Sequence, residues 1–298
     1  MKDVCVIIVT WNRLEMLKRS VSAARAHAQG ADVLVVDNAS TDGTGEWLKT
    51  QEGVDVLSLP ENTGGAGGFA AGMQRAFDLG YEWMWIMDDD VELLPEALAN
   101  ARKLFPLGDL VQTAKYEADG TECRFEGLVN PKTMRRRKIS VASLPACGYV
   151  NCNIATFEGL LVNRSVVAKI GVPDASFFYG LDDLFYGYRA SEVARFVFAG
   201  VFTLKKQIDK SRASIGGRRF YSSSAASRYY HVRNYWTVMR YLKASGTGSW
   251  RMYFTYAYEA AKAFAITLLV ELDFKGAAHV LRGIVDGIRG RGGRCDHV

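Results

Sequence analysis

YEWMWIMDDDVELLPEALA, residues 81–99, joins an aromatic and apolar run to three successive aspartates, Asp88, Asp89 and Asp90. WMWIMD (83–88) has the length and side chains of a buried strand, and a helix is expected to start near Pro95. Adjacent carboxylates repel one another, so the triple needs a compensating role. Side chains alternate along a strand, which puts Asp88 and Asp90 on one side, where they offer oxygen ligands to a hard divalent cation such as Mg²⁺ or Mn²⁺. Capping the following helix explains a single carboxylate, and Asp90 stands five residues before Pro95.

Working outward, WMWIMD is the fourth strand of a regular series. VCVIIVT (4–10), DVLVVD (32–37) and VDVLSLP (54–60) read as strands. RLEMLKRSVSAARAH (13–27), TGEWLKTQ (44–51) and a segment from about Gly67 to Leu79 read as helices. Alternation with short links predicts an α/β domain whose mostly parallel central sheet carries helices on both faces. Ligands of such sheets bind outside the carboxyl ends of the strands. Those ends are polar here: Thr10, Trp11, Asn12 and Arg13; Asp37, Asn38 and Ser40; Glu61 and Asn62; then the aspartates. All four are expected to converge on one edge.

From Asp109 to about Arg137 the periodicity weakens into short strand-like pieces and a basic loop. Residues 147–191 suggest a strand, a helix over Arg164–Ile170 and a second helix near Asp182 and Asp183. Beyond Ser222 the chain turns helical and aromatic. At 298 residues and 49% hydrophobic content it can hold one large domain, or a domain with an appendage. The net charge of +5 is concentrated late, in MRRRK (134–138), KK (205–206), GGRR (216–219) and RGIVDGIRGRGGR (282–294). Such runs suit anionic partners or a solvated face. Five cysteines without a CxxC pair, and no signal-like stretch before Val4, lead us to expect a reducing cytoplasmic location. AFAITLLVEL (263–272) is far short of the roughly 20 residues that span a bilayer.

Three further stretches carry chemistry. ENTGGAGGFAAGM (61–73) contains a GxGxxA spacing, but after the third strand, whereas a dinucleotide fingerprint follows the first. Its glycines allow close backbone approach to a diphosphate or sugar at a helix N-terminus, or simply tight helix packing. In VVDNASTDGT (35–44), Asp37 can accept a hydrogen bond from a pyrimidine N–H or a ribose hydroxyl, or serve a capped turn. In FFYGLDDLFYGYRA (177–190), one of two adjacent acids in aromatic surroundings can be poised to take a proton from a hydroxyl, or can cap its helix.

Taken in order, VIIVTWNR, VVDNASTDGT, ENTGGAGGF, WIMDDDVELLPEAL, the block GLLVNRSVVAKIGVPDASFFYGLDDLFYGYRA and YYHVRNYW (229–236) resemble the family 2 inverting glycosyltransferases. The likeness runs from residue 4 to about 240 and is nearest to the bacterial galactofuranosyl- and rhamnosyltransferase branch. It implies a GT-A fold, Rossmann-like, over residues 1–220, with a nucleotide-sugar half at about 1–105 and an acceptor half at about 106–220. A helical C-terminal region would occupy 221–298.

The resemblance also implies Mn²⁺ or Mg²⁺ on Asp88 and Asp90, with His231 as a further candidate ligand. Base and ribose would meet Thr10, Asn12, Arg13 and Asp37; the sugar would lie near Asn62, Gly64, Gly65 and Asp89. Asp183, with Asp182 beside it, would be the general base. The implied donor is UDP-galactofuranose, with dTDP-rhamnose as the alternative, and the acceptor is a surface glycan or lipid-linked precursor; nucleic acid is not a partner. Three positions depart from the branch pattern: Phe185 replaces an acid, no histidine occurs in 200–210, and Phe157 and Glu158 replace acceptor-side tryptophans.

A nucleotidyltransferase would need a basic glycine-rich loop after the first strand, and VTWNRLEML has no glycine. A non-catalytic nucleotide-sugar-binding partner of a synthase complex is the other reading, motivated by Phe185 and the absent histidine. The aromatic segment 250–272 and the arginines beyond it suit either the inner face of the cell membrane, with the protein held peripherally, or a helix packed on its own domain or on a second copy in a homo-oligomer.

Overall fold

The computed structural model describes residues 2–208, 212–215, 218–221 and 224–297; the glycines of the basic run 216–219 lie outside these. The first half is β1 (Lys2–Thr10), α1 (Leu14–His27), β2 (Asp32–Asp37), α2 (Thr44–Leu48), β3 (Asp55–Ser58), α3 (Gly64–Asp78), β4 (Tyr81–Asp88), β5 (Val91–Leu93) and α4 (Ala97–Leu104). The segment without clear periodicity forms β6 (Leu110–Tyr116), β7 (Phe125–Val129) and β8 (Arg136–Ile139). There follow β9 (Tyr149–Asn151), β10 (Leu160–Asn163), α5 (Arg164–Ile170), α6 (Asp182–Ser191) and β11 (Phe196–Lys206). The chain ends in β12 (Arg212–Ile215), β13 (Arg218–Tyr221), α7 (Ala225–Ala244), α8 (Arg251–Ala265) and α9 (Phe274–Arg289).

A nine-stranded sheet runs β3-β2-β1-β4-β10-β6-β11-β5, with β9 paired to β11. β1, β2, β3 and β4 are mutually parallel. β10 is antiparallel to both β4 and β6, and β11 is parallel to β6, so six strands share one direction. Only β5, β9 and β10 oppose them. The sheet is therefore mostly parallel, as expected, and the carboxyl ends of β1, β2, β4, β6 and β11 share an edge.

Alternation along β1 decides the two core layers. Cys5, Ile7 and Val9 pack with Phe69 and Met73 of α3, while Val4, Val6 and Ile8 pack with Leu17 and Val21 of α1. Each fully buried aliphatic side chain contributes about 2 kcal/mol. The glycines of α3 are packing residues: a Cβ on Gly72 would lie 2.6 Å from Ile7 Cγ2, and one on Gly68 2.5 Å from Val9 Cγ1. The helix can thus lie directly on the sheet, and it starts at Gly64, three residues earlier than expected.

The chain forms two compact units: Met1–Leu128, Lys138–Ala175 and Asp183–Asp209 make the first, and Val129–Arg137, Ser176–Asp182 and Lys210–Val298 the second. The second unit thus draws two short segments from within the range expected for the catalytic domain. In it, Asn234 donates from Nδ2 to the carbonyls of Phe177 (2.9 Å), Tyr179 (3.0 Å) and Gly180 (2.8 Å).

Candidate functional site: a carboxylate cluster at the strand tips

Val9 of β1 pairs with Asp88 of β4, and Thr10 pairs with Asp37 of β2. β10 lies on the other side of β4 with Leu160 opposite Ile86. Continuing that antiparallel register by two residues brings Glu158 beside Asp88, and Gly159 N–H donates to Ile86 O at 2.9 Å. Gly159 has φ +90°, and a Cβ there would lie 2.1 Å from Leu204 Cδ1 of β11, so a glycine is needed where the chain passes that side chain.

The result is a cluster of three carboxylates, Asp88, Asp90 and Glu158, whose ligand oxygens lie within 4.8 Å of one another. Burial, then the neighbouring charges of Asp90, Glu158 and Asp89, raise the Asp88 carboxyl well above the usual range, against a smaller opposing effect from Arg13. Carboxylates this close favour either a shared proton or a bound cation. The all-oxygen donor set fits a hard divalent ion, Mg²⁺ or Mn²⁺.

Glu158 was expected on the acceptor side, and the structure places it in this cluster. Gln112 holds it there: its Nε2 donates to Glu158 O (3.0 Å) and its Oε1 accepts from Thr156 N (3.0 Å). Two lysines at the ends of β6 and β11 supply counter-charge. Lys115 Nζ lies 2.5 Å from Glu158 Oε2, and Lys206 Nζ lies 3.3 Å from Glu117 and 3.8 Å from Glu158. Burial alone would lower Lys206, but the carboxylates outweigh it and the ammonium is held charged. These lysines and Gln112 were missed, although Lys115 and Lys206 are polar residues near strand tips, the signal that singled out the other positions.

Phe157, also expected on the acceptor side, is buried, its ring 4.8 Å from Phe69 and 6.1 Å edge-on from Tyr186. A ring enclosed in this way has no face left to stack on an acceptor.

Asp89 stands between Asp88 and Asp90 in the chain. It is 3% exposed, accepts from Thr10 Oγ1 at 2.7 Å and from Arg13 Nη1 at 3.2 Å, and joins β4 to the tip of β1. β4 ends at Asp88, so Asp89 stands in the turn that follows, where its carboxylate ties that turn to the tip of β1. Burial pushes its carboxyl up to about 6, with the bonds to Thr10 and Arg13 acting the other way. Arg13 Nη1 also lies 3.2 Å from Asp90 Oδ2.

The remaining donor-side candidates gather at the same edge. Asn12, with φ 52°, accepts from Thr41 N (2.6 Å) and donates its own N–H to Ser40 Oγ (3.0 Å), joining two tip loops. Asp37 is buried and accepts from Ser40 N at 3.0 Å, which is the turn-capping arrangement. Asn62 accepts from Gly64 N at 2.8 Å, and Gly65 has open space where a Cβ would be. Asn38 organises this loop: buried, it donates to Gly64 O (2.9 Å) and accepts from Thr63 N (2.9 Å). It had been noted only as a polar strand end.

Asp182 is buried and Asp183 half-buried where α6 begins, and Asp183 Oδ1 accepts from Leu184 N at 2.7 Å. α6 lies against the segment leading to Glu158: a Cβ on Gly187 would be 2.3 Å from Ala155 N. Phe185 is buried beneath Arg189. His231 is not one of the three clustered ligands; it sits in α7, its ring 5.7 Å edge-on from Tyr235, and burial pushes its pKa down to about 4.

Residues 5–168, more than half of the chain, match the family model described as glycosyl transferase family 2. The galactofuranosyltransferase GlfT1 of Mycobacterium tuberculosis is 33% identical over 199 residues, which cover 61% of this chain and 62% of that protein. The undecaprenyl-phosphate mannosyltransferase of Micrococcus luteus is 36% identical over 112 residues, 36% of this chain and 46% of that protein. The match thus spans about three fifths of the galactofuranosyltransferase and less than half of the mannosyltransferase. Residues 1–349 of S. aureus TarS, crystallised with UDP, share the fold at a TM-score of 0.59 and 12% identity, over 96% of this chain and 80% of that one.

Proposed function

The chain belongs to glycosyl transferase family 2, and from that premise we propose that it is a metal-dependent inverting glycosyltransferase. It moves a single sugar from a nucleotide sugar, UDP-galactofuranose, to a growing bacterial surface glycan or lipid-linked precursor. The observation that carries this reading is the Asp88, Asp90 and Glu158 cluster at the same sheet edge as the Thr10–Arg13 tip and the glycine loop. The 33% identity to GlfT1 favours galactofuranose over the alternative donor, dTDP-rhamnose.

In this reading Asp88, Asp90 and Glu158 hold a divalent ion, which when bound neutralises negative charge on the departing diphosphate. Asn12 and Asp37 set the loop that receives the base and ribose, and the open backbone at Gly65 receives the phosphate or sugar. Arg13 balances the aspartates and fixes their direction. Asp183 removes the acceptor's proton as its oxygen attacks the anomeric carbon, and Asp182 begins the same helix. The reaction takes place in the cytoplasm, with the protein held peripherally at the inner face of the membrane. Among the described residues, no helix is long and apolar enough to cross a membrane.

The test is a thermal-shift panel of UDP, dTDP and GDP sugars with and without Mn²⁺, followed by turnover of the donor that stabilises the protein. UDP-galactofuranose should stabilise most, and only with the metal. Asp183→Asn should keep that stabilisation and lose transfer; undiminished transfer would overturn the assigned base. The non-catalytic reading, suggested by Phe185, is removed if the isolated protein turns over any donor.

A further inference from the structure

Helix α9 is built inside out. Its buried face carries Gly276, Ala277, Val280, Gly283 and Gly287, small enough for the backbone to lie against α7. A Cβ on Gly283 would be 2.7 Å from Tyr229 O, and one on Gly287 2.5 Å from Trp236 Cδ1. The bulky apolar residues face water instead: Phe274, Leu281, Val285 and Ile288 are 72%, 49%, 43% and 54% exposed. Their spacing, i, i+7, i+11 and i+14, with exposed Ala278 between, forms one stripe about 21 Å long.

α8 and the link behind it continue this composition. Trp250, Phe254 and Tyr258, at successive i+4 positions, are each about two-thirds exposed, as are Leu269 and Leu272. Eleven of the sixteen exposed large apolar side chains among the described residues fall between Trp250 and Ile288. Such a concentration marks an interaction surface.

Charge identifies the partner. The acids of this stretch are engaged within the fold: Glu271 with Arg228, Asp273 with Gly276 N, Asp286 with Tyr229, and Glu259 with Lys262. Lys275 and Arg289 are exposed, each next in sequence to an end of the stripe. A two-fold contact between copies across this stripe would bring the same cations toward one another, whereas anionic headgroups would pair with them.

We propose that the face formed by Trp250–Leu272 and the Phe274–Ile288 stripe docks on an anionic lipid bilayer, with the apolar side chains in the headgroup boundary and Lys275 and Arg289 against lipid phosphates. Ring-bearing Trp250 and Tyr258 suit that boundary, where one end of the side chain is apolar and the other wet. This docking rests on the peripheral membrane placement proposed above, for which it names the face, and does not depend on the identity of the donor sugar.

The test is co-sedimentation of the full chain with sucrose-loaded vesicles, either equimolar phosphatidylglycerol and phosphatidylcholine or phosphatidylcholine alone. Binding should be about tenfold stronger to the anionic vesicles and should weaken at about 0.5 M sodium chloride. Leu281→Ser with Ile288→Ser should reduce binding to both compositions by about tenfold or more. Lys275→Glu with Arg289→Glu should remove only the preference for phosphatidylglycerol. All four positions face water, so both variants should keep the wild-type melting midpoint and donor stabilisation. Failure of the wild type to sediment with anionic vesicles would overturn the proposal. So would a solution dimer that Leu281→Ser with Ile288→Ser converts to monomer, because a second copy would then cover this face.

Discussion

Replacing Asn234 with alanine removes an amide on which three carbonyls converge. Its Nδ2 lies 2.9, 3.0 and 2.8 Å from the oxygens of Phe177, Tyr179 and Gly180, and the residue is 2% exposed. An amide nitrogen has two hydrogens, so the three contacts amount to two bonds shared among three acceptors. Losing two neutral buried bonds costs about 2 kcal/mol, and the desolvated carbonyls left behind add at least about 1 kcal/mol. The segment also holds left-handed backbone at Phe178 (φ 58°) and Leu181 (φ 65°), each costing about 1–2 kcal/mol, which the tether offsets. Arg233 loses its Nε partner, Asn234 Oδ1, but keeps its Nη2 bonds to the carbonyls of Ser176 and Phe177, so the loop should open locally without the chain unfolding.

A loss of about 3 kcal/mol corresponds to roughly a hundredfold faster hydrogen exchange at the amides of 177–181. Mass-spectrometric exchange on peptides covering 174–184 would read it. Asn234→Asp keeps the shape but presents a carboxylate to carbonyl oxygens, so its effect should be larger. Asp182 and Asp183 follow this loop directly, so donor turnover should fall in both variants while Mn²⁺ stabilisation is retained. Unchanged exchange over 177–181 in both variants would refute the reasoning.

Glu158→Gln should weaken Mn²⁺ binding by about tenfold, read as a smaller metal-induced rise in the melting midpoint; an unchanged rise would remove Glu158 from the ligand set. His231 is half-buried, and desolvation of its ring pushes its pKa down to about 4, so the unfolded chain, titrating near 6.5, takes up the proton first as pH falls. Stability from this group is therefore complete above about pH 6.5 and is lost between there and pH 4, by about 3 kcal/mol. Urea midpoints at a series of pH values should show that slope in the wild type and a shallower one in His231→Gln. Gly72→Ala would press a methyl into Ile7 and Val36 and should destabilise by about 1–3 kcal/mol in urea unfolding; a neutral effect would mean that α3 can lift from the sheet.

The strands and helices up to Asp88 were legible because each is a local pattern: alternating burial or a helical stripe, separated by short links. Residues 110–139 were not, because β7 and β8 are short and pair only with each other, and β6 is completed by β10 and β11, about fifty and ninety residues later. Glycine positions in α3 were legible as a tight approach but not as an approach to a particular object; Gly68 and Gly72 meet the sheet, Gly67 meets Thr63, and Gly65 faces open space.

Composition and periodicity alone determined the parallel arrangement of the first four strands, the edge where chemistry gathers, and Asp88 and Asp90 as a pair at the end of the fourth strand, because these follow from local patterns; the strand itself ends at Asp88, and a turn instead of strand alternation places Asp90. Tertiary structure alone decided that Glu158 joins them, since an antiparallel register brings together residues seventy positions apart. It also decided that Thr10 and Arg13 both bond the Asp89 carboxylate, which ties the turn after β4 to the tip of β1. On α9 the sequence leaves open whether the apolar stripe faces in or out. The glycines on the other side allow closer contact with α7, and that packing turns the stripe outward.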